Sequence, residues 1–168
     1  MPESPLESLN TAPAERAAEL LAACNAAPRF AAEVLAGRPY PSGPALVARA
    51  EEVSRSLSWD EVATALAAHP RIGDRVEGSS AEAAASRREQ SAMGTADDGL
   101  RTAMLEGNRA YQERFGTVFL IRAAGRSAEE MLAELQRRLG NSPEEERAEV
   151  VEQLAQITGL RVTGVIGG

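Results

Sequence analysis

The feature that most constrains the fold is the alternation of alanine-rich, helically spaced stretches with proline and glycine. Alanine favours a helix more than any other residue, and most of the 9 prolines and 14 glycines fall between these stretches, where they end helices. Aromatic residues make up only 4 % of the 168-residue chain, so aliphatic side chains must supply most of the core. The pattern predicts an all-α, single-domain bundle of about eight helices spanning residues 1–168.

Serine or aspartate at the start of an apolar repeat, with glutamate three residues after the serine, predicts several helix boundaries. The predicted helices cover residues 14–25, 28–37, 45–57, 59–68, 79–93, 97–115, 127–139 and 142–158. The β-branched, apolar run at 117–122 predicts a short extended segment, and an extended tail is expected over 160–168. For residues 1–8, disorder is left open.

The charge balance of the chain excludes one large class of partner. A net charge of −7, without a concentrated basic face, argues against nucleic-acid binding. The arginines are scattered among glutamates, which predicts that they lie on solvated helix surfaces. No apolar run approaches the roughly 20 residues that cross a bilayer, and the first residues lack the regions of a signal peptide. We therefore expect a cytoplasmic protein with no membrane partner.

The single cysteine and the single histidine limit metal and redox chemistry. Cys24 has no partner for an internal disulfide and is expected to be a small buried residue of the first predicted helix. A zinc site would need carboxylates for its remaining ligands, which is unusual. The chain has no GxSxG, phosphate-cradling or dinucleotide-binding glycine motif. The sequence therefore predicts no metal and no cofactor.

The histidine lies in the stretch HPRIGD at 69–74, where a predicted helix ends. The proline that follows His69 biases it away from helical dihedral angles, so its imidazole is expected on a fixed loop facing a cavity. Histidine titrates near pH 6.5 and can both donate and accept a proton at neutral pH. The alternative is a structural histidine at a helix terminus, and position alone does not decide between the two.

A second polar set comes from the helix predicted over 79–93. Ser86, Glu89 and Gln90 are three and four residues apart, so their side chains share one helix face. The hydroxyl, carboxylate and amide together form a polar recognition surface, and Glu89 could orient a neighbouring imidazole. The alternative is an ordinary solvated stripe on an alanine-rich helix.

A third set, Asn108, Tyr111 and Phe115, has helical spacing and precedes the extended segment. One interpretation is that its aromatic residues, with Phe119, are simply core. The other is that the non-helical segment offers backbone donors and acceptors to a ligand, because helical backbone is already paired internally. Arg122 could then bind a carboxylate.

In this order and at this separation, the three sets resemble the 2-oxo-4-hydroxy-4-carboxy-5-ureidoimidazoline (OHCU) decarboxylases of urate degradation. The matching stretches are HPRIGD at 69–74, SRREQS at 86–91 and NRAYQERFGTVFLIRAAGRS at 108–127. LESLN at 6–10 and ITGLRV at 157–162 also resemble the ends of that family. Each motif is weak alone, whereas the ordered set is specific and spans nearly the whole chain.

The resemblance implies an all-α domain, commonly a homodimer, that converts a small ureidoimidazoline substrate to S-allantoin and CO2 without a cofactor. It implies that His69 is the catalytic acid, that the Pro70 carbonyl contacts substrate, and that Ser86, Glu89 and Gln90 belong to the site. It also implies that the backbone after the FG pair lines the pocket, at Phe119, Leu120, Ile121, Arg122 and Ala123. A helical binding module, or an enzyme for a related ureide on the same scaffold, stays open as an alternative.

Overall fold

A computed structural model of the protein describes residues 4–68 and 97–167. These residues form eight helices and no strand, which confirms the all-α prediction. The helices are α1 Pro5–Thr11, α2 Ala14–Ala22, α3 Pro28–Ala36, α4 Gly43–Arg55, α5 Trp59–Leu66, α6 Asp98–Phe115, α7 Ala128–Arg138 and α8 Pro143–Val165. None of the described helices has both the length and the apolar character that a membrane span requires.

Side-chain caps fix the helix starts that the sequence predicted. At α5, the Ser58 hydroxyl accepts a hydrogen bond from the Glu61 backbone N–H at 3.2 Å, and Glu61 Oε1 accepts one from the Ser58 N–H at 2.9 Å. Asp97 caps α6 by accepting from the Leu100 N–H at 2.7 Å. Each cap satisfies a backbone donor that the first helical turn leaves unpaired.

The structure bears on two expectations about the chain ends. The segment 1–8, for which disorder was left open, enters helix α1 at Pro5, with Ser4 and Glu7 forming a capping box. The predicted extended tail over 160–168 is wrong, because α8 continues to Val165. Gly159 does not end this helix, and the Glu51 side chain lies against its backbone. The helix predicted over 79–93 lies outside the described residues.

The described residues fall into two compact units. The N-terminal unit comprises the residues up to Ala65 together with those from Leu154 onward. Its core is mostly aliphatic, with Phe30 and Tyr40 as buried aromatic residues, and its largest fully buried apolar side chains are Leu21, Phe30, Val34, Leu46 and Leu154. Cys24 is buried as predicted, although it lies just beyond the end of α2.

The central unit comprises the described residues from Leu66 to Gln153. Helices α6 and α7 pack closely in it, because a Cβ at Gly107 would overlap the Leu135 side chain. Gly116 ends α6 in the left-handed conformation, with φ of 77°. The segment 117–123 then leads toward α7 without regular secondary structure. The core of the unit is formed by Met104, Tyr111, Phe119, Ile121, Ala123, Ala128, Met131 and Leu135.

Candidate active site

Five of the predicted site residues lie outside the described residues. They are His69, Pro70, Ser86, Glu89 and Gln90. Their roles therefore stay predictions. The remaining predicted residues belong to the segment 117–123 of the central unit, and the structure defines their surroundings in detail.

The side chains of this segment are mostly part of the core. Phe119, Leu120, Ile121 and Ala123 are buried, whereas Arg122 is half-buried. The Phe119 ring meets Tyr111 edge-on, with ring centroids 5.4 Å apart. The interpretation of these aromatic residues as core is thus confirmed. A ligand at this segment would meet mainly its backbone and the Arg122 side chain.

One buried arginine holds the middle of the segment. Arg138 Nη1 donates a hydrogen bond to the Leu120 carbonyl oxygen at 2.8 Å. The same guanidinium lies over the Phe119 ring, 4.6 Å from its centroid. Only 1 % of Arg138 is exposed, so both contacts form in a dry environment where hydrogen bonds and cation–π contacts are strengthened.

Glu146, on α8, neutralises this buried arginine. Its carboxylate accepts hydrogen bonds from Arg138 Nε at 2.9 Å and from Arg138 Nη2 at 2.6 Å. It also accepts from Asn141 Nδ2 at 3.2 Å and, through a short hydrogen bond, from the Tyr111 hydroxyl. Burial and the neighbouring carboxylate raise the pKa of Tyr111 above its ordinary value, although the positive charge of Arg138 opposes the shift.

A second contact holds the segment two residues further on. The Arg122 backbone N–H donates to Gln153 Oε1 at 2.8 Å. The expectation that this segment offers its backbone to a ligand therefore needs refinement, because the Leu120 carbonyl and the Arg122 N–H already bond to side chains of the protein. A carbonyl oxygen has two lone pairs, so Leu120 retains capacity for one further hydrogen bond.

Two arginine side chains carry unused donors. The Nε atoms of Arg122 and Arg126 are both buried, and neither has a hydrogen-bond partner within residues 4–68 and 97–167. A buried guanidinium N–H without an acceptor costs free energy, because it has lost its hydrogen bond to water. Within the same described ranges, no three histidine, cysteine, aspartate or glutamate side chains are grouped as a metal ion would need.

The sequence analysis missed Arg138, Glu146 and Gln153. The prediction that the arginines are solvated is wrong for Arg138, because Glu146 pairs with it inside the core. The only local signal was the Arg137–Arg138 pair at the end of α7, whose first member is the exposed one. Glu146 follows Arg138 by eight positions, and a turn lies between them. Because the two residues are on different helices, helical spacing could not predict their pairing.

Comparison with known proteins places the chain in a family. A sequence model of the OHCU decarboxylase family matches residues 10–163. The chain belongs to the OHCU decarboxylase family. The resemblance carried by the ordered motifs is thereby confirmed.

Curated relatives agree with this membership. The OHCU decarboxylase of Amia calva is 36 % identical over 141 residues, which are 83 % of this chain and 81 % of the relative. That of Mus musculus is 35 % identical over 106 residues, 61 % of this chain and 58 % of the relative. The uric acid degradation bifunctional protein TTL of Arabidopsis thaliana is 30 % identical over 83 % of this chain, which corresponds to 44 % of that longer protein.

Two solved structures share the OHCU decarboxylase fold. A crystal structure of OHCU decarboxylase in the presence of (S)-allantoin matches with a TM-score of 0.75 and 22 % identity, over 89 % of this chain and 99 % of that one. A crystal structure of (S)-allantoin synthase matches with a TM-score of 0.69 and 21 % identity, over 96 % of this chain and 54 % of that one. At these identities the likeness establishes the fold.

Proposed function

We propose that this protein decarboxylates 2-oxo-4-hydroxy-4-carboxy-5-ureidoimidazoline to S-allantoin in urate degradation, as a cofactor-independent carboxy-lyase. The observation that carries the proposal is the OHCU decarboxylase family match over residues 10–163. The Amia calva relative, named for this reaction, supports it with 36 % identity over most of both chains.

The substrate itself explains why the proposed reaction needs no electron sink from outside. Its carboxylate is beta to a ring C=N bond, so the electron pair of the breaking C–C bond moves into the ring as CO2 leaves. The C4 hydroxyl then loses its proton and becomes a carbonyl, the ring nitrogen gains one, and delivery of a proton to C5 completes the product, with one proton taken up overall. The protein has to hold the carboxylate out of the ring plane, exclude water and deliver that proton to one face.

The proposed proton donor is His69, held in orientation by Glu89. An imidazole titrating near neutrality suits transfer of the substrate hydroxyl or ring proton, and positioned acid–base groups typically contribute about 10²–10⁴-fold to a rate. Ser86 and Gln90 are proposed to hydrogen bond the ureido and ring edges, and the Pro70 carbonyl to contact substrate. These roles rest on the motifs and on the family.

The described part of the proposed pocket is the backbone of Phe119 to Ala123 with the Arg122 side chain. Support for Arg122 as a carboxylate ligand comes from its buried Nε, which has no hydrogen-bond partner among the described residues. A guanidinium offers a planar set of donors that matches a carboxylate. An anionic substrate can thus be bound locally by a chain with a net charge of −7.

The decisive test compares wild type with His69→Ala and His69→Asn on freshly prepared substrate, following product chirality by circular dichroism. We expect the variants to fold but to lose stereoselective allantoin formation, with rates reduced by about 10²–10⁴-fold. Cys24→Ala serves as a control for an unrelated substitution. Full activity in the histidine variants would remove His69 from the mechanism, and a different chiral product in wild type would indicate a related ureide as substrate.

We also propose that the protein acts in the cytoplasm as a homodimer, without nucleic-acid or membrane partners. Support for the dimer is the family resemblance, and support for the location is the single cysteine, which cannot form an internal disulfide and suits a reducing compartment. Sedimentation velocity at several protein concentrations tests the dimer. A monomer at all concentrations, with full activity, would contradict it.

A further inference from the structure

We infer that Tyr111, Arg138 and Glu146 form a positioning network that fixes the pocket-lining backbone of the enzyme. This inference rests on the proposed function, because it takes the backbone of Phe119–Ala123 to line the substrate pocket. None of the three network residues is proposed to touch substrate. They act through the backbone that they hold.

The first step of the argument concerns what Arg138 contacts. Its guanidinium bonds the Leu120 carbonyl oxygen at 2.8 Å and stacks 4.6 Å from the Phe119 ring centroid. One rigid, planar group therefore contacts two successive residues of a segment that has no hydrogen-bonded ladder of its own. Without it, the Leu120 carbonyl would lose its side-chain donor.

The second step concerns what holds Arg138. Glu146 accepts from both its Nε and its Nη2, so the guanidinium plane has a fixed direction as well as a fixed place. The Tyr111 hydroxyl and Asn141 Nδ2 bond the same carboxylate and so fix Glu146 in turn. These contacts link α6 and α8 to Leu120, and Tyr111, Arg138 and Glu146 are all buried.

The third step is that stability alone does not account for such a network. Replacing a buried ion pair by apolar side chains of similar volume is often neutral or stabilising. Apolar side chains could therefore fill this core, but they could not donate to the Leu120 carbonyl. Gln153 applies a second constraint two residues away, at the Arg122 N–H. Polar side chains thus bind alternate residues of the predicted substrate-binding segment.

The expected consequence lies in the chemical step more than in substrate affinity. A displacement of about 1 Å in positioning groups can cost roughly 10²-fold in rate. We therefore expect loss of the network to lower kcat about 10- to 100-fold, with a smaller change in KM. A purely structural role would change the unfolding midpoint without this split between kcat and KM.

The experiment uses the full chain carrying Tyr111→Phe, Arg138→Met and Glu146→Leu together, which removes all three polar groups at once. The matched control is Arg29→Met with Glu61→Leu, which removes an ion pair from the N-terminal unit. Measurements are kcat and KM well below the unfolding temperature, together with hydrogen exchange of the amides of residues 119–123. The triple variant should lose kcat and exchange these amides faster, whereas the control should match wild type in both.

A second, milder variant keeps the inference testable if the triple variant does not fold. Arg138→Lys retains the charge but not the fork that reaches Glu146 and Leu120 together, so it should show the same kcat loss to a smaller degree. Unchanged kcat and unchanged amide exchange in the folded variant would overturn the inference. Absence of turnover in wild type would instead defeat the proposed function, and amide exchange would still report whether the network holds the segment.

Discussion

The two units both bury polar side chains beside a non-helical stretch, but they do so with different chemistry. In the N-terminal unit the hydrogen-bonded cluster is neutral: Asn25 Nδ2 donates to Thr158 Oγ1 at 3.2 Å and to Ser54 Oγ at 3.4 Å. The buried Arg161 donates to the Ala23 carbonyl beside this cluster at 3.5 Å. Asn25 Oδ1 accepts from the Ala27 N–H at 3.0 Å and so fixes the turn before α3. In the central unit the corresponding element is the charged pair of Arg138 and Glu146.

This difference shows what each unit has to hold in place. A hydrogen-bonded neutral amide costs less to bury than an ion, and one side chain suffices to fix a short turn between two helices. An ion pair costs far more to desolvate and needs several hydrogen bonds in return. The buried ion pair of Arg138 and Glu146 occurs where the segment is longer and is proposed to line the substrate pocket. We infer that this segment requires a more strongly directed contact than a structural turn does.

The largest expected effect comes from breaking the charged pair on one side only. Arg138→Met leaves the Glu146 carboxylate buried without its counter-charge, and we expect it to lower the free energy of unfolding by about 3–5 kcal/mol. Urea denaturation measures this. Adding Glu146→Leu and Tyr111→Phe should recover most of the loss. If the single variant were as stable as wild type, the contrast between the units would disappear.

Breaking the neutral cluster should cost less. Asn25→Ala leaves the Ala27 N–H without its acceptor and removes a partner from Thr158, and we expect a loss of about 1–3 kcal/mol in the free energy of unfolding. Ser54→Ala is the matched variant with a smaller expected loss, because its bond to Asn25 is longer. Urea denaturation applies again. A loss for Asn25→Ala that equals that of Arg138→Met would contradict the ranking of the two clusters.

A third contrast concerns pH and the two tyrosines of the chain. Burial raises the pKa of both Tyr40 and Tyr111, and the Glu146 carboxylate raises that of Tyr111 further. Folding thus favours the neutral phenol, so its contribution to stability is complete below the ordinary pKa of about 10 and is lost as the pH rises through the raised value. Alkaline titration of phenolate absorbance should show that the native tyrosines ionise above the ordinary pKa. Tyr111→Phe should weaken this alkaline sensitivity more than Tyr40→Phe does.

The smallest effect is expected at the surface pair of Arg29 and Glu61. Hydrogen bonds from Arg29 and from the Ser58 N–H lower the pKa of Glu61 from 4.5 to about 2. The pair therefore contributes stability that is present above pH 4.5 and is lost as the pH falls toward 2. With Arg29→Met, the Glu61 titration followed by NMR should move upward. It should keep part of its shift, because Ser58 still caps it. An unmoved titration would mean that Ser58 alone sets the pKa.

The sequence predicted those features that depend on local spacing. Ser58 with Glu61, and Gly116 after Phe115, mark helix ends through bonds within a few residues, and both predictions are confirmed. Family membership was likewise predictable, because the ordered motifs lie along most of the chain. The burial of Arg138 was not, since it depends on a carboxylate supplied by the next helix after a turn.

The wrong tail prediction has a related cause. The last helix was predicted to end near Thr158, which Gly159 follows, but whether a glycine ends a helix or admits a neighbour depends on what lies beside it. Glu51, more than a hundred positions earlier in the chain, occupies that space. For the same reason, the sequence of residues 117–122 alone could not predict that Gln153 accepts a hydrogen bond from the Arg122 N–H.

The contact between Gly107 and Leu135 bears on how α6 acquires its order. Glycine costs a helix interior about 1 kcal/mol relative to alanine, and α6 contains both Gly99 and Gly107. Gly107, which lowers the helix propensity of α6, is also the residue whose backbone the Leu135 side chain of α7 lies against. Formation of helix α6 therefore depends on its packing against α7. A peptide of residues 98–115 should be mostly coil in water, and docking of α7 should complete the helix.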